Sequence, residues 1–275
     1  MTQACAICSS VMAPLFVRQI LSRYDVQYFH CQDCGYARTE KPYWLAEAYS
    51  DAIAIADTGV LQRNHGLAAR LAATLYFCME PRSAYLDIAG GYGILTRLMR
   101  DYGFDYYWED AYCANVVARG FEATRATSPF AALSGFEVIE HTVDPLAFVA
   151  GNMERHRCRN FIFSTETYTG TRPPADWWYF TPMTGQHISF FHERTLQRIA
   201  QRLGLTFHSN GGLHFFTDGT LRNTALLPIL NSTMAYPIAR VVRKVLGSKT
   251  WADHLSATAP AAESGTRTFP GSTNS

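Results

Sequence analysis

Three observations in the 275-residue chain predict an α/β fold: two Cys-x-x-Cys pairs near the N-terminus, a glycine-rich turn between an apolar strand and an amphipathic helix, and alternating strand-like and helix-like segments after it. Together they predict a Rossmann-like doubly wound sheet with a closing antiparallel hairpin, preceded by a small zinc ribbon. The composition, 48% hydrophobic and 17% charged, supplies a full core and excludes a disordered solvating chain. The expected division is 1–42 for the ribbon-like region, 43–216 for the α/β domain with a helical lead-in, 217–255 for a C-terminal extension and 256–275 for a disordered tail. A formal net charge of +1 excludes a strongly basic nucleic-acid coat. Only Lys41, Lys244 and Lys249 are lysines, so cationic contacts fall to arginine. No apolar run has the length of a membrane span and the N-terminus lacks a signal-peptide pattern, so a cytoplasmic protein is expected.

The ribbon rests on Cys5 and Cys8 in CAIC and Cys31 and Cys34 in CQDCG. Two such knuckles bring four thiolates to one tetrahedral ion at about 2.3 Å each, the closed shell of structural Zn²⁺. The segments LFVRQIL and DVQYFH between them suit ribbon strands, and His30, beside Cys31, is read as a bystander, the alternative being that it replaces one ligand. A redox Cys-x-x-Cys opens a helix after a strand, a context that CAIC lacks. Cys78, Cys113 and Cys158 read as isolated buried thiols.

From Tyr43 to Glu80 the apolar spacing is helical, with a break at Gly59 and an end at Pro81. SAYLDIAGGYGILTRLMRDYG then reads as strand, turn and helix. Beyond it FDYYWED reads as a strand, ANVVARGFEA as a helix, AALSGFEVIEH as a strand, DPLAFVAGNMERH as a helix and NFIFSTETY as a strand. RTLQRIAQRLG is a helix ending at Gly204, and LTFHSN and GLHFFT form the closing hairpin around Asn210, Gly211 and Gly212.

The turn DIAGGYG, from Asp87 to Gly93, is the informative piece. Gly91 and Gly93 let the backbone approach a ligand, and the helix after them offers its N-terminus. Asp87 suits an ammonium better than a pyrophosphate, which points away from a nicotinamide dinucleotide. Twenty-three residues on, Asp110 follows the next strand, placed to accept ribose hydroxyls, with Glu109 as the alternative one residue away.

On these residues the sequence resembles class I S-adenosylmethionine-dependent methyltransferases. YLDIAGGYG is similar to their first motif, with Ala89 where a glycine is common, and FEVIEHTVDPLAF to the segment that ends the fourth strand. The resemblance covers about Ser83 to Phe216. The stretch DWWYFTPMTGQHISFFHERTLQRIA is similar to a bacterial subgroup, some of whose members carry zinc-binding N-terminal regions and in which sugar and polysaccharide modification recurs. The resemblance implies S-adenosylmethionine as methyl donor, held by Asp87, Ala89, Gly91, Gly93, Asp110 and Glu137.

In an open parallel sheet the chemistry lies beyond the carboxyl ends of the strands. Methyl transfer to oxygen needs in-line positioning and removal of a hydroxyl proton. His187 is the first candidate base, with Gln186 beside it as a substrate partner; His141 and Glu140 are further catalytic candidates. Glu137, Glu140 and His141 at i, i+3 and i+4 are also a candidate set for Mg²⁺ or another divalent ion, a pattern similar to one in ubiquinone-pathway and small-RNA methyltransferases. Alternatively, Glu140 and His141 only close the strand. Trp177, Trp178, Tyr179 and Phe180 are either an acceptor-stacking wall or a lid packed on the core. Arg172 and Arg194 are candidates for phosphate.

The basic amphipathic stretch around Arg240, Arg243 and Lys244 is expected to dock on the domain, a weak peripheral membrane contact being the alternative. The expected activity is methylation of a sugar, sugar nucleotide or similar hydroxylated metabolite. The other readings are an RNA methyltransferase docked through the ribbon, which the near-neutral charge disfavours, and a non-catalytic cofactor-binding scaffold.

Overall fold

The computed structural model describes residues 3–49 and 57–258. In chain order the first elements are the strands β1 (Gln3–Ala4), β2 (Val11–Ile20), β3 (Tyr24–His30) and β4 (Ala37–Thr39), then the helices α1 (Leu45–Ala48) and α2 (Val60–Cys78). The α/β unit follows as β5 (Ala84–Asp87), α3 (Ile94–Asp101), β6 (Asp105–Trp108), β7 (Phe130–Phe136), α4 (Pro145–His156) and β8 (Phe161–Ser164). After these come β9 (Thr167–Tyr168), β10 (Ser189–His192), α5 (Glu193–Leu203), β11 (Thr206–Asn210) and β12 (Leu213–Thr217). The chain then closes with α6 (Leu227–Leu230), α7 (Ala235–Leu246) and α8 (Thr250–Thr258).

The main sheet has the order β11-β12-β8-β7-β5-β6. β6, β5, β7 and β8 run parallel, while β12 is antiparallel to both β8 and β11. The expected hairpin is present, and its second strand enters between β8 and β11. Side chains alternate between two cores: Tyr85 points into one with α2, α3 and α7, whereas Ala84 and Leu86 point into another with α4 and α5. Small residues let helices approach closely, since Ala68, Ala69, Ala72 and Ala73 of α2 share a core with Ala235 and Ala239 of α7. The expected C-terminal extension therefore closes the core. Among the described residues no single helix is long and apolar enough to cross a membrane; α6 with its preceding turn and α7 pass by length and composition as a pair bent by 109°.

The second sheet, β1-β2-β3-β4-β10-β9, begins in the ribbon and ends in the α/β domain. Ser189 and Phe190 of β10 pair with Arg38 and Ala37 of β4. The division expected at residue 42 falls inside this sheet. Its core joins Val26, Tyr28 and Trp44 to Tyr179, Phe180 and Phe190.

Three local expectations are corrected. The helix expected over 114–123 does not form, because the Asn115 side chain accepts from the Ala118 amide and the Glu122 carboxylate accepts from the Gly120 amide and the Asn115 side chain. Such side-chain bonds compete with the helical ladder. The strand expected through His141 stops at Phe136, since Glu137 takes φ 52 and a 3-10 turn follows over Ile139–His141. NFIFSTETY divides into β8 of one sheet and β9 of the other. The expected disordered tail begins inside α8, which runs to Thr258; its remainder, and the middle of the expected lead-in helix, lie outside the described residues.

α8 is pinned by a buried ion pair. Arg100 Nε and Nη2 donate to both Asp253 oxygens at 2.8 and 2.7 Å, and Arg97 adds a bond of 2.7 Å. Burial raises the Asp253 pKa, but the bonds from Arg100 and Arg97 outweigh it and hold the carboxyl below its ordinary value. Removing one partner of a buried pair strands the other charge. Asp253→Asn should lower the unfolding free energy by about 3 kcal/mol in urea melts at pH 7. Because the folded pKa is depressed, the deficit is full above about pH 4 and fades as the pH falls through the folded value. An unchanged midpoint at pH 7 would rule out this role.

Candidate functional site

The glycine turn connects β5 to α3 at the carboxyl end of the sheet. Gly93 caps α3 at φ 89, a left-handed backbone, and a Cβ there would meet the Ala118 Cβ and Asn115 Oδ1 at 2.9 Å. Gly90, which the sequence pattern did not single out, is packed more tightly: a Cβ would lie 2.4 Å from Trp108 Cδ1. Trp108 in turn donates from Nε1 to the Gly91 carbonyl at 2.9 Å, so the last residue of β6 shapes the turn after β5. Asp87 lies buried beneath, accepting from Ser134 Oγ at 3.1 Å. Burial pushes its carboxyl up to about 7, against the lowering effect of Ser134.

Beside this turn opens a cleft of about 560 Å³, lined in part by Ile88, Ala89, Asp110, Val138, Phe148 and Asn152. A small-molecule site of a few hundred Å³ with mostly apolar walls has this character. Asp110 Oδ2 accepts from the Gly91 amide at 2.9 Å, and Oδ1 accepts from the Tyr112 and Cys113 amides at 2.7 and 2.8 Å. A carboxylate offers about four acceptor positions, so Oδ2 keeps one for a ligand. Glu109 also lines the cleft, where it pairs with Arg155, a second lining residue, and with His156 of α4. Gly91, Gly93 and Asp87 underlie the cleft without lining it.

Val138, a lining residue, stands three residues from His141, a distance of at most about 11 Å along the chain. Here Glu140, His141 and His187 converge: an oxygen of Glu140 and a ring nitrogen of each histidine all lie within 4.8 Å of one another. Glu137 does not join them. Its carboxylate accepts from Ser164 Oγ at 2.5 Å and ties the end of β7 to β8. Glu140 is fully buried, with Oε1 accepting from Tyr179 at 2.6 Å and Oε2 without a partner among the described residues. Burial, reinforced by the Glu137 charge, pushes the Glu140 carboxyl up to about 8. Burial also lowers His141 to about 3, aided by His187, and His187 to about 4, so both imidazoles are neutral at pH 7.

Two aromatic hydroxyls and one carbonyl hold this cluster. His187 Nδ1 donates to the Tyr179 carbonyl at 2.7 Å, Tyr179 also binds Glu140, and the Tyr49 hydroxyl meets His141 Nδ1 at 2.6 Å. Neither tyrosine was assigned such a contact from sequence, since both sit in apolar-rich stretches whose facing is set by the tertiary fold. In the aromatic loop Tyr179 and Phe180 are core, while Trp178 is 68% exposed. Gln186 turns away and donates to the Ala48 carbonyl. Arg172 and Arg194 are exposed.

The four ribbon cysteines lie together, with Cys5 to Cys34 at 3.6 Å and Cys8 to Cys31 at 3.4 Å between sulfurs. Four ligands at about 2.3 Å on a tetrahedron stand about 3.8 Å apart, so the cluster is consistent with a zinc ribbon. His30 is elsewhere engaged, with Nε2 on the Tyr168 hydroxyl at 3.0 Å. From this cluster Thr195 reaches the Cys34 carbonyl, and Tyr36 reaches Ser189, which donates to the Thr142 carbonyl beside His141.

Comparison with known proteins identifies the α/β part. The family described as "Methyltransferase domain" matches residues 61–210, or 150 of the 275 residues. The chain belongs to this family. Its domain is that of an S-adenosylmethionine-dependent methyltransferase. A search of curated proteins finds no match. Among solved structures, this methyltransferase is similar to TnmH, at 18% identity and TM-score 0.45 over 64% of this chain and 60% of that one. It is also similar to magnesium protoporphyrin IX methyltransferase of Synechocystis PCC 6803 with bound SAH, at 13% identity and TM-score 0.41 over 62% and 90%. A third is human N-acetylserotonin methyltransferase in complex with SAM, at 10% identity and TM-score 0.40 over 64% and 66%. The chain thus spans less than two thirds of the length of TnmH.

If the cysteine cluster holds zinc, Cys31→Ser should reduce the metal count from one per chain to none in native mass spectra and lower the melting temperature. A wild-type protein purified without metal, and equally stable with zinc or a chelator, would overturn the assignment.

Proposed function

We propose that this methyltransferase transfers a methyl group to a hydroxyl of a sugar, sugar nucleotide or related hydroxylated metabolite. The observation behind it is the bare Nε2 of His187: its Nδ1 proton is committed to the Tyr179 carbonyl, leaving an unprotonated nitrogen on a half-buried, neutral ring. Bound S-adenosylmethionine supplies a methyl group on a positively charged sulfur, which leaves as a thioether. The cleft suits that molecule: Val138, Phe148 and Ala147 offer apolar surface for adenine, and Asp110 Oδ2 retains an acceptor position for a ribose hydroxyl. Asp87, Ala89, Gly91 and Gly93 shape the backbone on which it would lie, and Glu137 braces β7 against β8 behind it.

His187 takes the hydroxyl proton on Nε2. A pKa near 4 makes it a weak base towards an unreacted alcohol, but the hydroxyl becomes strongly acidic as its oxygen bonds to carbon, and a fixed neutral lone pair then suffices. The exposed face of Trp178 suits the C–H surface of a saccharide. The zinc ribbon contributes as a buttress: Tyr36, Ser189 and β10 hold the segment that carries His187. A second reading has one supporting observation, the unpartnered Glu140 Oε2. A divalent ion there would have Glu140, His141 and His187 as ligands, without Glu137, and a count of two metals per chain would favour it.

His187→Ala should reduce methyl transfer to a hydroxylated acceptor by about tenfold or more with cofactor affinity unchanged. The acid limb of wild-type kcat should fall near pH 4, not 6.5, because the lowered pKa keeps His187 unprotonated down to that range. Full turnover in the variant, or a limb at pH 6.5, would remove His187 as the base. Asp110→Ala should weaken S-adenosylmethionine binding by about 1–3 kcal/mol in calorimetry. Unaltered affinity would discard the ribose assignment.

A further inference from the structure

Two facing imidazoles stand at the centre of the cluster, their ring centroids 4.9 Å apart and their planes at 67°. Each has one nitrogen tied back by the fold. For His187 the tie decides the tautomer outright, because a carbonyl only accepts: Nδ1 carries the proton and Nε2 is bare. For His141 the partner is the Tyr49 hydroxyl, whose one proton has no other acceptor among the described residues. A phenol that donates to Nδ1 leaves the ring proton of a neutral histidine on Nε2. Tyr49 is 41% exposed, yet partial desolvation, with the Glu140 charge adding to it, raises its pKa above the ordinary range, so the phenol keeps its proton at neutral pH.

We propose that Tyr49 is a positioning residue that holds His141 in the Nε2–H tautomer, so that His141 and His187 together present one N–H donor and one bare nitrogen to a single acceptor hydroxyl. The proposal rests on the reading of His187 as the base and adds the partner that recognises the oxygen. With the ring centroids 4.9 Å apart, a nitrogen of one imidazole lies within 4.8 Å of a nitrogen of the other, and two nitrogens at that spacing can both reach one oxygen at about 2.8 Å. The oxygen accepts from His141 Nε2–H and directs its own proton at His187 Nε2, which leaves a lone pair free for the incoming methyl carbon. An alcohol meets both requirements. A protonated amine has no lone pair to accept with and would leave the His141 donor unpaired. The acceptor is therefore a neutral hydroxyl group, and Tyr49 contributes to choosing it without touching it.

The test reads the tautomers directly and needs no acceptor. Histidine in the zinc-loaded full chain is labelled with nitrogen-15, and its side-chain signals are recorded at pH 7, with His141→Gln and His187→Gln assigning them. The expected result is opposed tautomers, with His141 protonated on Nε2 and His187 on Nδ1. In Tyr49→Phe, which keeps the ring and loses the donor, the His141 tautomer ratio should shift by about fivefold or more towards Nδ1–H while His187 is unchanged. Loss of packing alone would not produce that one-sided change. A shared tautomer, a doubly protonated ring at pH 7, or an unmoved His141 ratio in Tyr49→Phe would overturn the proposal. Should Tyr49→Phe fail to fold, the wild-type tautomers alone decide it. Opposed tautomers combined with full turnover in His187→Ala would retire the base and leave Tyr49 in its role.

Discussion

The pairing of β4 with β10 is the constraint on which the rest of the site depends. Two strands separated by about 150 residues share backbone hydrogen bonds, and through them the ribbon becomes one wall of the α/β domain. His187 stands two residues before β10, so its position follows from that pairing, from the Ile188 amide bound to the Glu140 carbonyl, and from the Tyr36–Ser189 contact. Val26, Tyr28 and Trp44 share a core with Tyr179, Phe180 and Phe190, so the order of the ribbon and that of the segment carrying His187 are linked.

Desolvation sets the character of the buried groups. Asp87 and Glu140 are buried and His141 and His187 half-buried, and in each desolvation favours the neutral form over the charged one. Neutral groups cannot rely on long-range attraction to orient a ligand. Orientation has to come from directed hydrogen bonds, which explains why Tyr49, Tyr179 and Ser134 are placed where they are. Arg100 and Asp253 keep their charges because three short bonds compensate the burial.

Much of this architecture is legible in the sequence, for reasons that differ from element to element. The Cys-x-x-Cys knuckles and the strand, turn and helix around Gly91 are local, and local spacing determines them. The hairpin around Gly211 and Gly212 is legible for the same reason. The failed helix over 114–123 had the right apolar spacing, but the Asn115 and Glu122 side chains captured the backbone groups that a helix needs. The site was only half legible. Glu140, His141 and His187 stood out as chemistry-bearing types, whereas Glu137 looked equivalent until its positive φ turned it towards Ser164. Tyr49 carried no sequence signal and Tyr179 only that of an aromatic wall or lid, because the contacts that give them meaning reach His141 and Glu140, 92 and 39 residues away.

The place of β12 in the main sheet has a consequence for how the chain assembles as it is made. β11 leaves the ribosome first, yet its seat lies beyond a gap that only the later β12 can fill, since β12 hydrogen-bonds to β8 on one side and β11 on the other. Until residue 217 has emerged, β8 presents an open edge and β11 has nothing to join. The ribbon cysteines, by contrast, are all available within the first 34 residues. The ribbon strands are thus complete well before the main sheet, which stays unfinished until its penultimate position is taken, and meanwhile the open edge of β8 needs protection from its neighbours.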